Sequence, residues 1–177
     1  MQVIEYRRAL HRIPELDRDL PETLAYLRSV LEPLGCALFS PIPGALCAFF
    51  DFGKADAIAF RSDADALPIQ EQTGLPFAST HPGKMHACGH DGHMSMVLDL
   101  AVWLDSQNDL KHNVLLIFQP AEETTGGAKD LCQSGVFEQY NVTCLFGLHL
   151  WPALPAGVVA SRKKGLRRAR WSAAGAR

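Results

Sequence analysis

Residues 113–119 read Asn-Val-Leu-Leu-Ile-Phe-Gln, a short, continuous and partly β-branched apolar run. With no polar alternation it has no face to offer water, so it predicts a strand buried on both sides. Such a strand needs helices above and below it, and the surrounding chain supplies them. Val3, Tyr6, Leu10 and Ile13 recur at helical spacing over 3–12, and Pro14 ends that pattern. A second helix is expected to start at Pro21, a favoured first-turn residue, and to run to Gly35 through Leu24, Leu27, Val30 and Leu31. From Gly92 the residues Met94, Val97, Leu98, Ala101 and Leu104 make a broad apolar helical face, and the stretch GGAKDLCQSG suggests a short helix ending at Gly135.

Two further strands are expected at 45–52 and 57–60, joined as a hairpin by the turn GKAD, and another buried strand at 142–150. Gln70–Lys84, rich in Pro, Gly, Thr and Ser, reads as a loop. The fold class expected is α/β, with a mixed, largely parallel sheet flanked by helices.

The 177 residues, 47% of them apolar, suffice for one domain with a substantial core. No run approaches the roughly 18 apolar residues of a membrane span, and the first residues lack the apolar stretch and cleavage site of a secretory signal. Five scattered cysteines without a CxxC pair argue against a disulfide framework and for a reducing, cytoplasmic setting. Residues 162–177 hold seven Lys and Arg and no acid, while the other 161 hold ten basic and nineteen acidic residues. A nucleic-acid arm is one reading of that tail, but the acidic body opposes it, so neither a nucleic-acid nor a membrane partner is expected.

The chemistry gathers at strand ends. Asp63 and Asp65 follow the strand at 57–60, Glu122 and Glu123 follow 113–119, and His149 ends 142–148. In open α/β sheets ligands bind outside the carboxyl ends of the strands. The segment MHACGHDGH at 85–93 brings Cys88, His90, Asp91 and His93 in a loop that enters a helix beside them. Singly each is ordinary: a turn cap, a solvated charge, a core histidine, a buried thiol. Together they point to a metal site. A thiolate, imidazoles and carboxylates suit Zn²⁺, Mn²⁺, Co²⁺ or Ni²⁺ rather than Mg²⁺ or Ca²⁺. Adjacent glutamates can divide labour, one binding metal and the other serving as general base.

The motifs HRIPEL, RSDADALPIQE, GKMHACGHDGHMSM, FQPAEETTGGAKDL and GLHLWPALPAG follow in order. In them the chain resembles the N-terminal part of metal-dependent amidohydrolases of the aminoacylase–carboxypeptidase clan. It is most similar to the subfamily of hippurate hydrolases, N-acetyldiaminopimelate deacetylases and indoleacetyl-amino-acid hydrolases.

The resemblance implies two divalent transition-metal ions, Mn²⁺ or Zn²⁺ with Co²⁺ or Ni²⁺ as further options. It implies Cys88 as a bridging ligand, His90, Glu123 and His149 as the other ligands, Glu122 as general base, and Asp65 as the active-site aspartate that orients the metal shell. Asp63, Asp91 and His93 look supportive. The substrate class implied is N-acyl amino acids or small acyl-aminoacyl amides, cleaved by a metal-activated water. Full-length relatives would be homo-oligomers.

The similarity runs from about residue 3 to 165, so 1–165 reads as a portion of the catalytic domain and 166–177 as a disordered basic tail foreign to the family, resembling translation in a wrong frame. The family's lid domain and a further histidine ligand would follow SRKKG, so they are expected to be missing here. The alternative reading is a truncated, impaired fragment that keeps partial metal binding.

Overall fold

The computed structural model describes residues 2–160, so the basic tail at 166–177 lies outside the described residues. Ten elements follow in order: α1 (Gln2–Arg12), α2 (Pro21–Leu31), β1 (Ala37–Phe39), β2 (Leu46–Phe50), β3 (Ala57–Asp63), α3 (His90–Asp105), β4 (Asn113–Gln119), α4 (Gly127–Gln133), α5 (Val136–Gln139) and β5 (Val142–Gly147). The five strands form one sheet in the order β1-β2-β4-β3-β5. β4 pairs parallel with β3, and β3 parallel with β5. β1 and β2 run antiparallel, β2 against β4, so the sheet is mixed and flanked by helices as expected.

β4 is the spine. Every one of its residues is buried, and the period of two sends them to opposite faces. Val114, Leu116 and Phe118 join Tyr6, Leu10, Leu27, Met94 and Leu98 in the core beneath α1, α2 and α3. Leu115 and Ile117 pack with Cys47, Ala59, Leu131 and Val136 on the side covered by α4 and α5. Full burial of each large side chain stabilises by about 1.5–3 kcal/mol, which makes this strand the largest single contributor to the sheet.

Two expectations need correction. Strands 45–52 and 57–60 do not form a hairpin, because β4 lies between them. The reason is Asn113, at the mouth of β4. Its Oδ1 accepts the backbone N–H groups of Phe52 and Lys54 at 2.8 and 3.2 Å, and its Nδ2 donates to the Lys54 carbonyl at 2.8 Å. The connection is thus held open around the start of β4. The strand expected at 142–150 ends at Gly147 and is not buried, since β5 is an edge strand of the sheet. β1 and α5 carry too few residues to show a period, and the sequence reading missed both.

The β-strand ends nevertheless meet as expected. β3, β4 and β5 are mutually parallel, so Asp63, Glu122 and His149 leave the sheet on one rim. Beyond β5 the apolar side chains Leu148, Trp151 and Val159 are 60, 64 and 86% exposed. A contiguous apolar surface of a few hundred Å² finds a partner or aggregates. The purified 177-residue chain is therefore expected to self-associate in light scattering coupled to gel filtration. Leu148→Ser with Trp151→Ser is expected to shift it toward monomer, and a monodisperse wild-type monomer would contradict this.

Candidate metal centre

Asp65, on the turn after β3, is fully buried and ties together Glu122, Glu123 and His90. Its Oδ1 and Oδ2 accept the backbone N–H groups of Glu122 and Glu123 at 2.9 and 3.0 Å. Its main-chain carbonyl accepts the Nδ1–H of His90 at 2.6 Å. A carbonyl oxygen only accepts, so His90 carries a proton on Nδ1, and the neutral imidazole then presents a bare Nε2. His149 repeats the pattern: its Nδ1 donates to the Leu150 carbonyl at 2.7 Å, and its Nε2 stands 3.6 Å from the Cys88 sulfur.

The turn before α3 aims these groups. Gly89, between Cys88 and His90, has φ +90°, and a Cβ there would lie 3.1 Å from Leu150 Cδ1. A side chain at this position would be strained and would crowd the segment that carries His149. After β4 the chain turns through Ala121 at φ +55°, a costly conformation for a non-glycine residue. The Asp17 carbonyl secures it by accepting the Ala121 N–H at 3.0 Å. The Thr124 hydroxyl also bonds to the Asp17 carboxylate. Gly127 closes the loop so tightly that a Cβ would fall 2.1 Å from the Pro120 oxygen.

Two donor groups result. Ligand atoms of Cys88, His90 and Glu123 lie within 4.8 Å of one another, as do those of Asp63, His90, His93 and His149. His90 belongs to both. His90 Nε2 and Glu123 Oε1 are buried, have no hydrogen-bond partner, and stand 3.6 Å apart. Two electron-pair donors facing each other without a proton between them are what a cation would satisfy.

The members differ in freedom. Asp63 accepts from His93 Nδ1 at 2.6 Å and from Arg61 at 3.0 Å. His93 Nε2 then accepts the Leu150 N–H at 2.9 Å, so both nitrogens of His93 are engaged and it braces the His149 segment. Asp91 faces away from this cluster, toward Arg7 and His11. Glu122 is absent from both donor groups.

The electrostatics follow the crowding of acids. Burial, then the Glu123, Asp63 and Glu122 carboxylates, push the Cys88 thiol up to about 12. Burial, with Asp63 and Glu123 beside it, raises the Glu122 carboxyl above its ordinary 4.5. Hydrogen bonding from His93, with Arg61 and His90 nearby, outweighs burial at Asp63 and holds it well below the usual carboxylate range. A thiol hemmed in by carboxylates stays protonated until a cation arrives.

Sequence reasoning overlooked Asp17, Ala121, His11 and Glu71. None carries a periodic signal, because the contact that places each in the site spans 60 or more positions. His11 and Asp17 stand in or beside HRIPEL, a motif that carried the resemblance without a role for either.

Both nitrogens of buried His86 lack partners, and burial lowers its imidazole to about 4. Between the ordinary 6.5 and 4 the unfolded chain takes up a proton that folded His86 refuses, so this group's contribution to stability falls as pH falls. The full loss is on the order of 3 kcal/mol. In denaturant melts of chelator-treated protein, wild type is expected to lose about that much stability relative to His86→Leu between pH 6.5 and 4. A pH-independent difference would contradict it.

Comparisons with known proteins identify the family. Residues 59–168 match the family model "Peptidase family M20/M25/M40". The chain is 43% identical over 172 residues to an N-acetyldiaminopimelate deacetylase of Streptococcus uberis, covering 94% of this chain and 45% of that protein. It is 41% identical over 169 residues to the protein of that name in Lactobacillus helveticus, covering 92% and 44%. Among solved structures, the Bacillus subtilis YXEP protein, described as a dinuclear metal-binding peptidase of the M20 family, superposes with a TM-score of 0.81 at 41% identity, covering 86% of this chain and 43% of that one. The chain thus spans less than half the length of these relatives. With its strand-end carboxylates, its Cys88–His90 turn and this match, the chain belongs to the M20/M25/M40 peptidase family, whose members are hydrolases.

Proposed function

We propose that this chain carries a two-metal centre for hydrolysing the amide bond of N-acyl amino acids or small acyl-aminoacyl substrates. The observation that supports the reading most is the facing pair of bare, buried donors, His90 Nε2 and Glu123 Oε1. With Cys88 and His149 they offer sulfur, nitrogen and oxygen together, a set that fits Mn²⁺ or Zn²⁺. Cys88, His90, Glu123 and His149 would hold the ions. When bound, the ions supply Lewis acidity that polarises the acyl carbonyl and acidifies water.

The chain's own groups do the rest. Glu122 takes a proton from the attacking water and passes it to the leaving amine, and its raised affinity for protons suits that exchange. Asp65 holds Glu122, Glu123 and His90 in register through three hydrogen bonds. A cavity of about 480 Å³ adjoins Cys88 and His149; Leu75, Met85, Leu150 and Trp151 give it apolar surface against which an acyl group can rest, and Arg7 and His11 also border it. The deacetylase relatives support N-acyl amino acids as the substrate class.

A second reading follows from the relatives being more than twice as long: this chain binds metal, while turnover needs residues that lie elsewhere in the longer proteins. Among the described residues no helix is long and apolar enough to cross a membrane, which suits a small-molecule substrate met in water.

Cys88→Ala is expected to lose metal in elemental analysis. Glu122→Gln should keep the metal and lose about 10²–10⁴-fold in hydrolysis of N-acetyl amino acids. Loss of metal from Glu122→Gln with retention in Glu123→Gln would reverse the two assignments. Wild type that binds metal without hydrolysis would favour the second reading. Because the Cys88 thiol must surrender its proton, metal affinity is expected to rise with pH, by up to about tenfold per unit for each proton released. A pH-independent affinity in calorimetry would contradict thiolate ligation.

A further inference from the structure

A second polar cluster lies behind the metal centre and takes no part in it. His11, on α1, is 1% exposed and bonds at both ring nitrogens. Nδ1 meets Asp91 Oδ2 at 2.7 Å, and Nε2 meets Glu71 Oε1 at 3.2 Å; Arg7 Nη2 also stands 3.5 Å from Nδ1, but the far shorter carboxylate contact sets the proton there. Arg7 Nε reaches the same Asp91 oxygen at 2.8 Å. The His11, Glu71 and Asp91 side chains are at most 3% exposed.

Ionised carboxylates only accept, so an imidazole that bonds to two of them must carry protons on both nitrogens. The result is an alternating row: Glu71 negative, His11 positive, Asp91 negative, Arg7 positive. With a neutral His11 the row would bury an uncompensated negative charge and one unsatisfied acceptor, a costly arrangement. The hydrogen bond to Asp91 is the main influence that raises His11 above its ordinary 6.5, against the opposing effect of burial. The other charged or titratable neighbours are Arg7 on the same helix and His86 on the segment before α3.

The row joins two walls of the cavity. Asp91 adjoins His90 on the first turn of α3. Glu71 begins the 71–80 loop, accepting the Ser79 N–H at 2.6 Å and the Thr73 hydroxyl. Phe77 of the same loop meets the His11 ring edge-on at 5.8 Å and lies under Arg7 at 5.1 Å. Thr73 and Leu75 of this loop line the cavity, and so do Met85, Cys88 and Gly89 of the segment that enters α3.

We infer that His11 is a positioning residue: a buried imidazolium that ties the Thr73–Leu75 wall of the substrate cavity to the turn carrying Cys88 and His90. It borders that cavity with Arg7, but at 1% exposure it acts through the walls it joins. Its effect is on the shape of the space where the substrate rests, so it acts on substrate binding more than on the chemical step. This rests on the hydrolase reading for the identity of the substrate, but not for the charge state or the docking of the loop.

The test uses the full chain with ¹⁵N-labelled histidines, with the His11 signal assigned by its loss in His11→Gln. Both ring nitrogens are expected to be protonated at neutral pH, and a neutral tautomer would overturn the inference. Because His11→Gln can unfold the chain, Glu71→Gln serves as the milder variant. It is expected to speed amide exchange at Thr73 and Leu75, and to raise KM for N-acetyl amino acids, each on the order of tenfold. Its kcat and metal content should remain within about twofold, in keeping with the loss of a binding interaction alone. Unchanged exchange, or a fall in kcat at constant KM, would overturn the role. If wild type hydrolyses no N-acyl amino acid, the hydrolase reading fails, while protonation and exchange still decide the role of His11.

Discussion

The rest of the site depends on the three hydrogen bonds of Asp65. A single buried residue ties the end of β3 to the loop after β4 and to the first residue of α3, with its carboxylate on Glu122 and Glu123 and its carbonyl on His90. Charge-assisted bonds to backbone N–H groups are the stronger kind, and here they secure a loop whose Ala121 sits in a strained left-handed conformation. The same contacts set the tautomer of His90 and so decide which nitrogen faces Glu123. Geometry and protonation at this centre have one origin.

Around that clamp the fold gathers like charges. Asp63, Glu122, Glu123 and Cys88 crowd one rim, and among the described residues Arg61 and the histidines offset them. A sheet end this acidic has a structural cost, because carboxylates brought together out of water repel one another and resist ionisation. The cost makes sense if a cation repays it. The arrangement also separates roles among chemically similar groups. His93 has both nitrogens engaged by Asp63 and the Leu150 N–H and braces, whereas His90 Nε2 has no partner and His149 Nε2 meets only the Cys88 sulfur.

Much of this was legible in the sequence, for definite physical reasons. The unbroken apolar run at 113–119 can exist only where both faces are covered, so it disclosed the central strand and the layered class. Because parallel strands deliver their C-terminal residues to one rim, Asp63, Asp65, Glu122, Glu123 and His149 could be grouped before any coordinates. What escaped was non-local. The Asn113 side chain, reaching back to residues 52–54, turned an expected hairpin into two separated strands. The edge position of β5 cannot be read from its apolar composition. His11 and Glu71 meet across 60 residues with no periodicity to announce it.

The central claim is that Cys88 and His90 supply sulfur and nitrogen to one cation with Glu123. X-ray absorption on Zn²⁺-reconstituted chain measures this directly. The account predicts a sulfur shell at about 2.3 Å beside nitrogen and oxygen at about 2.0–2.2 Å, with the sulfur lost in Cys88→Ser. A shell of light atoms alone in the wild type, or a sulfur signal that survives Cys88→Ser, would contradict it.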